Sequence, residues 1–560
     1  MCANAEKFRI ECFKTVIFAI RRQGCGAKGG TRRKACGFIM KTKKQYFYNA
    51  LLLTVVTLFM RTVGVGFNVY VSGKVGAEAM GLLSLVSGVY NFAVTFATSG
   101  IHLATVRIFA ERLKQSGGAE NKKCLVACLS YAVFFGTLGT LLLLSLARPI
   151  GLYALKDART VRALKILSFT LLPIAVSAVF NGYFTAVRRA YKNAFAQVTE
   201  QAVKIAFTGY LLVIVAPKTV EGSILAILLG GAVSETFTFL LNLVQYCFDR
   251  RHFRGIKPQS SHRKIKVSAV ALPVAISAYM RSGLLAIEHI LIPRGLQAFG
   301  AENSAALAAY GTLQGMALPV ILYPAAILSS FSSLLIPEVT EQQAIGNERE
   351  IRYIAGRAYQ TALLFSIGTA AVMLFLSGEI GTVLYGRCDV ASFIKRLAPL
   401  IPIMYLDTAT DALLKGLGEQ VYSMNVNIMD AMISVILVWL LVPVMGINGY
   451  ILTIYITEIL NATFSICRLL KISGFRPKVG RLVLRPVFCA TGAAAIANLL
   501  LHCLRRSTAV NAGTLTWHII AVVLLYLLLL LLTQTLPIGD IKWLSRSLFE
   551  GQSRENVQKR

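Results

Sequence analysis

Long apolar segments recur from one end of this 560-residue chain to the other. A segment of about 20 apolar residues, at ~1.5 Å rise per residue, is long enough to cross ~30 Å of hydrocarbon as a helix. Because 56% of the residues are hydrophobic and only 15% are charged, no room remains for a sizeable soluble domain. The pattern therefore predicts an all-α, polytopic membrane protein.

The apolar segments divide into about fourteen predicted transmembrane helices, arranged as two six-helix bundles followed by two C-terminal helices. We predict a basic tail at 1–47, the first bundle at 48–248, a basic linker at 249–266, the second bundle at 267–471, two further helices at 482–536 and a basic tail at 537–560. The predicted spans are 49–72, 79–108, 123–147, 163–186, 193–216, 221–247, 267–293, 305–336, 353–377, 391–415, 421–444, 447–470, 483–503 and 516–535.

The formal charge of +32 is better explained by membrane topology than by nucleic-acid binding. With the N-terminus on the inner side, about 42 of the 58 Lys and Arg residues fall in inner loops and tails, as the positive-inside rule requires. The distribution predicts a multi-pass membrane protein with both termini in the cytoplasm. Its expected surroundings are membrane lipids, and no nucleic acid is expected as a partner.

The N-terminal tail contains a second possible translation start. The apolar run from Phe13 to Ile20 is too short for a span and is not followed by a small-residue cleavage pattern. Met40 is followed by Lys41, Lys43 and Lys44, immediately ahead of the first long apolar segment. We expect translation to begin at Met40, and recovery of peptides containing Met1 from the native protein would contradict this.

Signatures of enzyme, metal or cofactor chemistry were not found in the sequence. The eleven cysteines form neither a Cys-x-x-Cys motif nor a Cys/His cluster, so they predict neither a metal site nor a disulfide framework. The sequence has no phosphate loop, no paired histidine ligands and no nucleophile elbow. We therefore expect a transporter without cofactors and not an enzyme.

The two predicted bundles resemble each other in sequence. The segment Phe59 to Thr62 corresponds to Tyr279 to Ser282, 220 residues later. Leu172-Pro173-Ile174 likewise anticipates Ile401-Pro402-Ile403, and Glu200 anticipates Asp430. Weak internal repeats mark secondary transporters, in which two related bundles rock around a cavity to expose it alternately to each side.

Two arginines occupy matching mid-span positions in the repeats, Arg61 and Arg281. A charge at mid-bilayer costs at least ~2.5 to 3.5 kcal/mol, so such residues are functional candidates. Guanidinium groups bind phosphate oxygens in bidentate fashion, and two of them across a cavity would suit a pyrophosphate. The alternative is that each arginine pairs with a carboxylate such as Glu288, seven residues after Arg281 on the same helical face. Glu288 either orients Arg281 or is itself a coupling carboxylate.

Other charged residues of the spans fall into two groups. Glu200 with Lys204, and Asp407 and Asp411 with Lys415, have the i, i+4 spacing that lets a helix neutralise its own charges. Coupling to a proton or sodium ion needs a carboxylate that no cation fully satisfies. Glu235, Asp430 and Glu458 remain as candidates for that role, and nothing in their spacing selects among them.

Many short motifs, in the correct order from Met40 to Arg485, resemble the stage V sporulation protein B branch of the MOP flippase superfamily. The motifs are Gly76-Ala77-Glu78, Gly81-Leu82, Ala97-Thr98-Ser99-Gly100-Ile101, Ala110-Glu111, Gly182-Tyr183-Phe184, Gln197, Glu200-Gln201, Lys204, Tyr310-Gly311, Leu318-Pro319, Pro324, Ile336-Pro337, Gly416-Leu417-Gly418 and Gly446-Ile447-Asn448-Gly449. The resemblance implies the two-bundle fold of multidrug extruders and the export of undecaprenyl-linked glycans such as lipid II. It also implies that arginines line the central cavity, a role that Arg61 matches best.

The chain departs from the family pattern at two positions. A second arginine is common seven residues after the first, where this chain has Asn68, and a proline is common where it has His102. Asn68 is accordingly a candidate substrate contact in a less basic cavity, which leaves teichoic, capsular and spore-coat precursors open besides lipid II. We hypothesise a flippase of lipid-linked glycans. The alternatives are a cation-coupled exporter of drugs or metabolites, and a non-transporting scaffold.

Overall fold

The computed structural model describes residues 29–115, 122–187, 189–214, 219–252, 267–475, 480–504 and 511–535. Within them the chain is almost entirely helical and contains no β-strand, which confirms the all-α prediction. The α-helices are α1 Gly29–Thr98, α2 Ile101–Gln115, α3 Lys122–Pro149, α4 Arg159–Ser168, α5 Leu171–Ala186, α6 Ala190–Ile214, α7 Val220–His252, α8 Val267–Ala298, α9 Asn303–Tyr310, α10 Leu318–Leu322, α11 Ala325–Ile345, α12 Glu348–Phe375, α13 Ser377–Tyr385, α14 Cys388–Leu397, α15 Ile401–Gly416, α16 Gln420–Met445, α17 Ile447–Ser473, α18 Arg485–Leu504 and α19 Ala512–Leu532.

Twelve helical segments of the described residues are long and apolar enough to cross a membrane. One of them, Val56–Glu111, covers the first two predicted spans. Gly76, with a φ of 82°, breaks α1 between these two spans. Together the twelve segments match thirteen predicted spans. The remaining predicted span coincides with α6, whose Glu200, Lys204 and polar neighbours make it less apolar. The polytopic architecture is thus confirmed, with the number of spans approximate.

The predicted tails and linker lie largely outside the described residues. Of the basic tail at 1–47, the part from residue 29 belongs to α1. Of the linker at 249–266, only residues 249–252 are described, at the end of α7. The tail at 537–560 and the expected translation start at Met40 stay predictions.

Helix packing follows the two predicted bundles, which we call the first half (48–248) and the second half (267–471). In the first half, α2 and α3 pack on α5, and α6 lies against α7. In the second half, α8 and α17 pack on α16, while α11 and α12 pack on α15. The last two helices, α18 and α19, pack against each other and against α12. The C-terminal pair therefore adds to the second half without belonging to the repeat.

The internal repeat is visible as a shared helix break. In the first half α4 ends at Ser168 and α5 begins at Leu171, just before Pro173. In the second half α14 ends at Leu397, and a short 3-10 turn leads into α15, which has Pro402 in its first turn. Proline suits this position because the first turn of a helix leaves its N–H groups unbonded in any case. The equivalent breaks support the pseudo-symmetry of the two bundles.

The outside of the bundles is apolar, as a lipid-facing surface requires. Large side chains such as Phe59, Trp439, Phe488 and Trp517 are mostly exposed. A water-soluble protein rarely leaves so much contiguous apolar surface uncovered, whereas hydrocarbon solvates it at no cost. Alanines, leucines and other small or branched residues fill the interior of each half.

Candidate functional site

The first span contacts the second half of the protein through polar side chains. Thr62 and Tyr323 share a hydrogen bond of 3.0 Å between their hydroxyl groups. Six residues further along α1, the Asn68 amide donates to the carbonyl oxygen of Gly315 at 3.2 Å. Gly315 lies in a π-helical segment, Gly311–Ala317, a type of distortion that is frequent at functional sites.

Arg61 lies on this same side of α1. Its side chain is exposed, and none of the described carboxylates forms an ion pair with it within 4.0 Å. It lies within electrostatic range of Tyr405, a residue of α15 in the second half. Arg61 is therefore an uncompensated cation at the interface of the two halves, available to an anionic ligand.

Asn68 has a structural partner as well as its predicted role. The hydrogen bond from its Nδ2 atom to the Gly315 carbonyl oxygen helps to join the first span to the π-helical segment. The side chain is half-buried. Its contact with substrate stays a prediction.

Arg281 has a different environment from Arg61. It lies on α8, is exposed, and its electrostatic partner is Asp430 on the neighbouring α16. Glu288, considered above as its partner, instead accepts a hydrogen bond from Ser434 and lies near Asp430. Glu288 is buried, with 9% of its surface exposed. The structure thus links Arg281 to Asp430 and Asp430 to Glu288, and a direct role of Arg281 at the interface of the halves stays a prediction.

Asp430 also belongs to a group of carboxylates inside the second half. Glu458 of α17 lies within electrostatic range of Asp430 and of Asp407, which is on α15. Asn461 donates its amide to Asp407 at 3.0 Å. One oxygen each of Asp407, Asp430 and Asn461 is buried without a hydrogen-bond partner. This group, which we call the second-half acidic group, consists of Glu288, Asp407, Asp430 and Glu458.

The expected self-neutralisation of Asp407 and Asp411 by Lys415 is correct for only one of the two. Lys415 contacts Asp411 at 3.1 Å, and Ser423 also bonds Asp411. Asp407 points instead toward Asn461, and Lys415 reaches it only at longer range. Residues four apart share a helix face, but the neighbouring helix decides which partner each of them meets. Asp407 was therefore missed as a member of the acidic group.

Glu200, Lys204 and Glu235 come together in the first half, between α6 and α7. Glu235 lies within electrostatic range of both Glu200 and Lys204. Tyr90 of α1 interacts with the two glutamates and shares a hydrogen bond of 2.5 Å with Thr170. Among the described residues, no ion pair within 4.0 Å joins Lys204 to either glutamate. Lys204 lies within electrostatic range of Glu200, and their pairing stays a prediction.

Oxygen atoms dominate both charged groups, which suits protons and hard cations. No three His, Cys, Asp or Glu side chains within the described ranges are close enough together to hold a metal ion. Sequence reasoning also missed Ser434 and Asn461, which are neutral polar residues in apolar spans. Their only signal in the sequence is the helical spacing from Asp430 to Ser434 and from Glu458 to Asn461.

Comparison with known proteins reveals a family relationship. A model of the family described as "Polysaccharide biosynthesis protein" matches residues 47–343. The chain is 26% identical to stage V sporulation protein B of Bacillus subtilis (strain 168) over 420 residues, covering 74% of this chain and 81% of that protein. It is 23% identical to the lipid II flippase MurJ of the same organism, covering 76% of this chain and 83% of that protein.

Solved structures of similar fold agree with this relationship. A lipid II flippase MurJ in an inward closed conformation superposes with a TM-score of 0.64 at 13% identity, covering 89% of this chain and 99% of that chain. An inward-facing multidrug resistance transporter of the MATE family has a TM-score of 0.51 at 17% identity, covering 75% and 98%. At these identities the likeness extends to the fold alone.

Proposed function

Because this chain belongs to the polysaccharide biosynthesis protein family, in the lipid-linked flippase branch of the MOP superfamily, we propose that it flips undecaprenyl-pyrophosphate-linked glycans across the bacterial cytoplasmic membrane. Two of its relatives bear the names of a sporulation protein and a lipid II flippase. The cargo is a lipid II-like or other polysaccharide precursor. Movement occurs by alternating access, without covalent chemistry.

The observation that carries this proposal is the uncompensated guanidinium of Arg61. Its neighbours Thr62 and Asn68 hold the first span against the second half, so that the charge lies at the junction between the halves. A pyrophosphate offers several oxygen atoms in the bidentate arrangement that a guanidinium prefers. An arginine left without a carboxylate inside a membrane protein is costly unless a ligand compensates it.

The proposed mechanism lowers the cost of moving a polar head through hydrocarbon. Transfer of an unpaired charged group into an apolar medium is prohibitively unfavourable, whereas an apolar polyprenyl tail is soluble in the hydrocarbon of the membrane. A polar cavity between the halves would hold the glycan and pyrophosphate while the tail stays outside. Rocking of the halves then exposes the head to the opposite side, because the substrate shifts the population of the two conformations.

Flipping of fluorescent lipid II by the purified protein in liposomes tests the proposal. Active protein should make the labelled lipid of the inner leaflet accessible to a membrane-impermeant quencher, and protein-free liposomes should not. Unlabelled lipid-linked glycans of different structure, added as competitors, would rank the possible cargos. Folded protein that moves none of the lipid-linked glycans would contradict the proposal.

We further propose that the second-half acidic group binds the coupling ion, a proton or sodium. Of its four carboxylates, Asp430 lies within electrostatic range of Arg281 and Asp407 within longer range of Lys415, and three oxygens of the region have no hydrogen-bond partner. Buried carboxylates with too few cations are stabilised by binding a proton or a hard cation. Their position in the second half would couple ion binding to the rocking movement.

Replacing Asp430 with asparagine should reduce gradient-driven flipping by about tenfold or more, because it removes the carboxylate that connects Arg281 to Glu288. Flipping without an imposed proton or sodium gradient should change much less. Asp389→Asn is the matched control, since Asp389 is an exposed residue paired with Arg387. An Asp430→Asn variant that responds to the gradients as wild type does would exclude Asp430 from coupling.

The same acidic group favours one alternative, a cation-coupled exporter of drugs or metabolites. Such a protein would use carboxylates rather than arginines to hold its cargo. Overexpression should then raise resistance to cationic dyes, and neutralising Asp430 or Glu235 should abolish that resistance. Unchanged dye efflux on overexpression would count against it.

A further inference from the structure

The first half contains a polar seam between α6 and α7 that the proposed flippase mechanism does not use. The two helices run antiparallel, and their register is fixed at both ends. At one end, a Cβ atom on Gly230 would lie 2.1 Å from the Thr208 hydroxyl. At the other end, the Lys192 ammonium donates to the Gln245 carbonyl at 3.2 Å and to Asp249 at 2.7 Å. Glu200, Lys204 and Glu235 lie between these ends.

Two fully buried side chains bracket these charges along the seam and have no hydrogen-bond partner. Thr208, one turn after Lys204, is 0% exposed, and its hydroxyl oxygen is unpartnered. Asn242, two turns after Glu235 on the same face of α7, is 0% exposed, and both its amide nitrogen and its amide oxygen are unpartnered. The side-chain oxygen of Gln245, nearly one turn further, is unpartnered as well.

Unpartnered polar atoms in such a position indicate water. A buried donor or acceptor without a partner costs about 1–3 kcal/mol, so folded proteins satisfy almost all of them, often with internal water. Asn242 needs both an acceptor for its nitrogen and a donor for its oxygen. Water supplies both, whereas a metal cation would satisfy the oxygen alone.

The charges of the seam favour a proton over a metal cation as its ligand. The groups that face one another are Glu200 and Lys204 on α6, Glu235 on α7 and Tyr90 on α1. Two carboxylates and one ammonium leave a single negative charge, which one proton neutralises. A metal ion of the same charge would also neutralise it, but a hard cation takes about six oxygen ligands or more, and no three carboxyl, histidine or cysteine side chains of the described residues come together here.

We propose that Glu200 and Glu235 share a proton-binding site, and that a file of water molecules along Asn242 and Gln245 connects it to the end of the first bundle at Asp249. A hydronium ion delivers its proton to a glutamate carboxylate and leaves a neutral water molecule in the file. Asp249, which pairs with Arg189 and Lys192, adjoins the basic segment that the charge distribution assigns to the cytoplasm. The site goes beyond the proposed function, because it would couple an exporter of any cargo to protons.

Infrared spectroscopy of the purified wild-type protein, without any cargo, tests the site directly. The carboxylic acid band should grow as the pH falls, and Glu200→Gln or Glu235→Gln should each remove part of that growth. Replacing choline by sodium should leave unchanged the part of the growth that disappears in the Glu200→Gln and Glu235→Gln variants. Unaltered bands in both glutamine variants, or displacement by sodium of the part of the growth that depends on Glu200 and Glu235, would overturn the proton assignment.

The rate of protonation after a rapid pH jump tests the water file. Asn242→Leu fills the seam with apolar atoms and should slow the growth of the part of the band that depends on Glu200 and Glu235 by about tenfold or more. Asn242→Ser, which retains a hydroxyl and leaves room for water, should stay close to wild type. Thr236→Val is the control on the exposed face of the same helix, where the hydroxyl already donates to the Ala232 carbonyl. A wild-type protonation rate in folded Asn242→Leu protein would contradict the proposed file of water molecules.

Gln245→Leu provides a second interruption if Asn242→Leu fails to fold, and its rate should fall in the same way. These spectra need no substrate, so the outcome is independent of the flipping assay. Protein that flips no glycan but shows the glutamate bands would contradict the proposed function and leave the proton site standing. The opposite result would leave the flippase standing and remove the proton site.

Discussion

Replacing Arg61 with alanine is expected to lower the rate of lipid-linked glycan flipping by at least about tenfold while leaving protein abundance and thermal stability close to wild type. The guanidinium has no carboxylate partner within 4.0 Å among the described residues, so its removal breaks no ion pair. A hydrogen bond to a charged group contributes roughly 1.5–3 kcal/mol, and tenfold in rate corresponds to about 1.4 kcal/mol. A pyrophosphate held in bidentate fashion would lose two such bonds.

Two further variants separate charge from geometry at this position. Arg61→Lys retains the positive charge but loses the planar fork, so it should restore only part of the activity. Arg107→Ala removes an exposed arginine that pairs with Glu111 and should leave flipping unchanged. The measurement is quencher accessibility of fluorescent lipid II in proteoliposomes. Full activity of Arg61→Ala would contradict the pyrophosphate assignment.

Arg281→Ala should behave differently from Arg61→Ala. Because Arg281 neighbours Asp430, its removal leaves Asp430 without the cation that lies within electrostatic range of it. The expected defect is therefore an altered dependence on the ion gradient, in the same assay, rather than a loss of affinity for the glycan. Equal defects in the two variants would support the view that both arginines contact the cargo.

Replacing Gly81 with alanine is expected to lower the free energy of unfolding by about 3 kcal/mol or more and to abolish flipping. A Cβ atom on Gly81 would lie 1.9 Å from the carbonyl oxygen of Leu307, and one on Gly311 would lie 2.1 Å from the carbonyl oxygen of Ala77. The obstructing atoms belong to the backbone, so they cannot turn aside as the end of a side chain does. The second part of α1 and the helix α9 would have to separate.

The contact matters for transport because it joins the first half to the second. The measurement is the thermal unfolding midpoint of the purified protein, together with flipping in liposomes. Gly66→Ala is the matched control on the same helix, since a Cβ atom there meets nothing within 4 Å. It should be neutral or slightly stabilising, because alanine favours helices more than glycine by up to about 1 kcal/mol. A wild-type midpoint in Gly81→Ala would show that the two helices already lie further apart.

The all-α membrane architecture follows from the sequence because hydropathy acts locally. A run of about 20 apolar residues forms a spanning helix wherever it lies, since hydrocarbon leaves no other partner for the backbone. The internal repeat could also be predicted from the sequence, because Pro173 and Pro402 each lie in the first turn of a helix. The family followed from short motifs in order, and the match over residues 47–343 confirmed it.

Which charged residues meet was decided by the tertiary structure alone. Spacing along one helix brought Glu200 and Lys204 near each other, but it did not assign Asp407 to Asn461 or Arg281 to Asp430. Those partners lie on different helices, so their approach depends on how helices pack and rotate rather than on any local pattern. The bare backbone contact at Gly81 and the unpartnered amide of Asn242 are likewise invisible in the sequence, because each exists only where two helices come together.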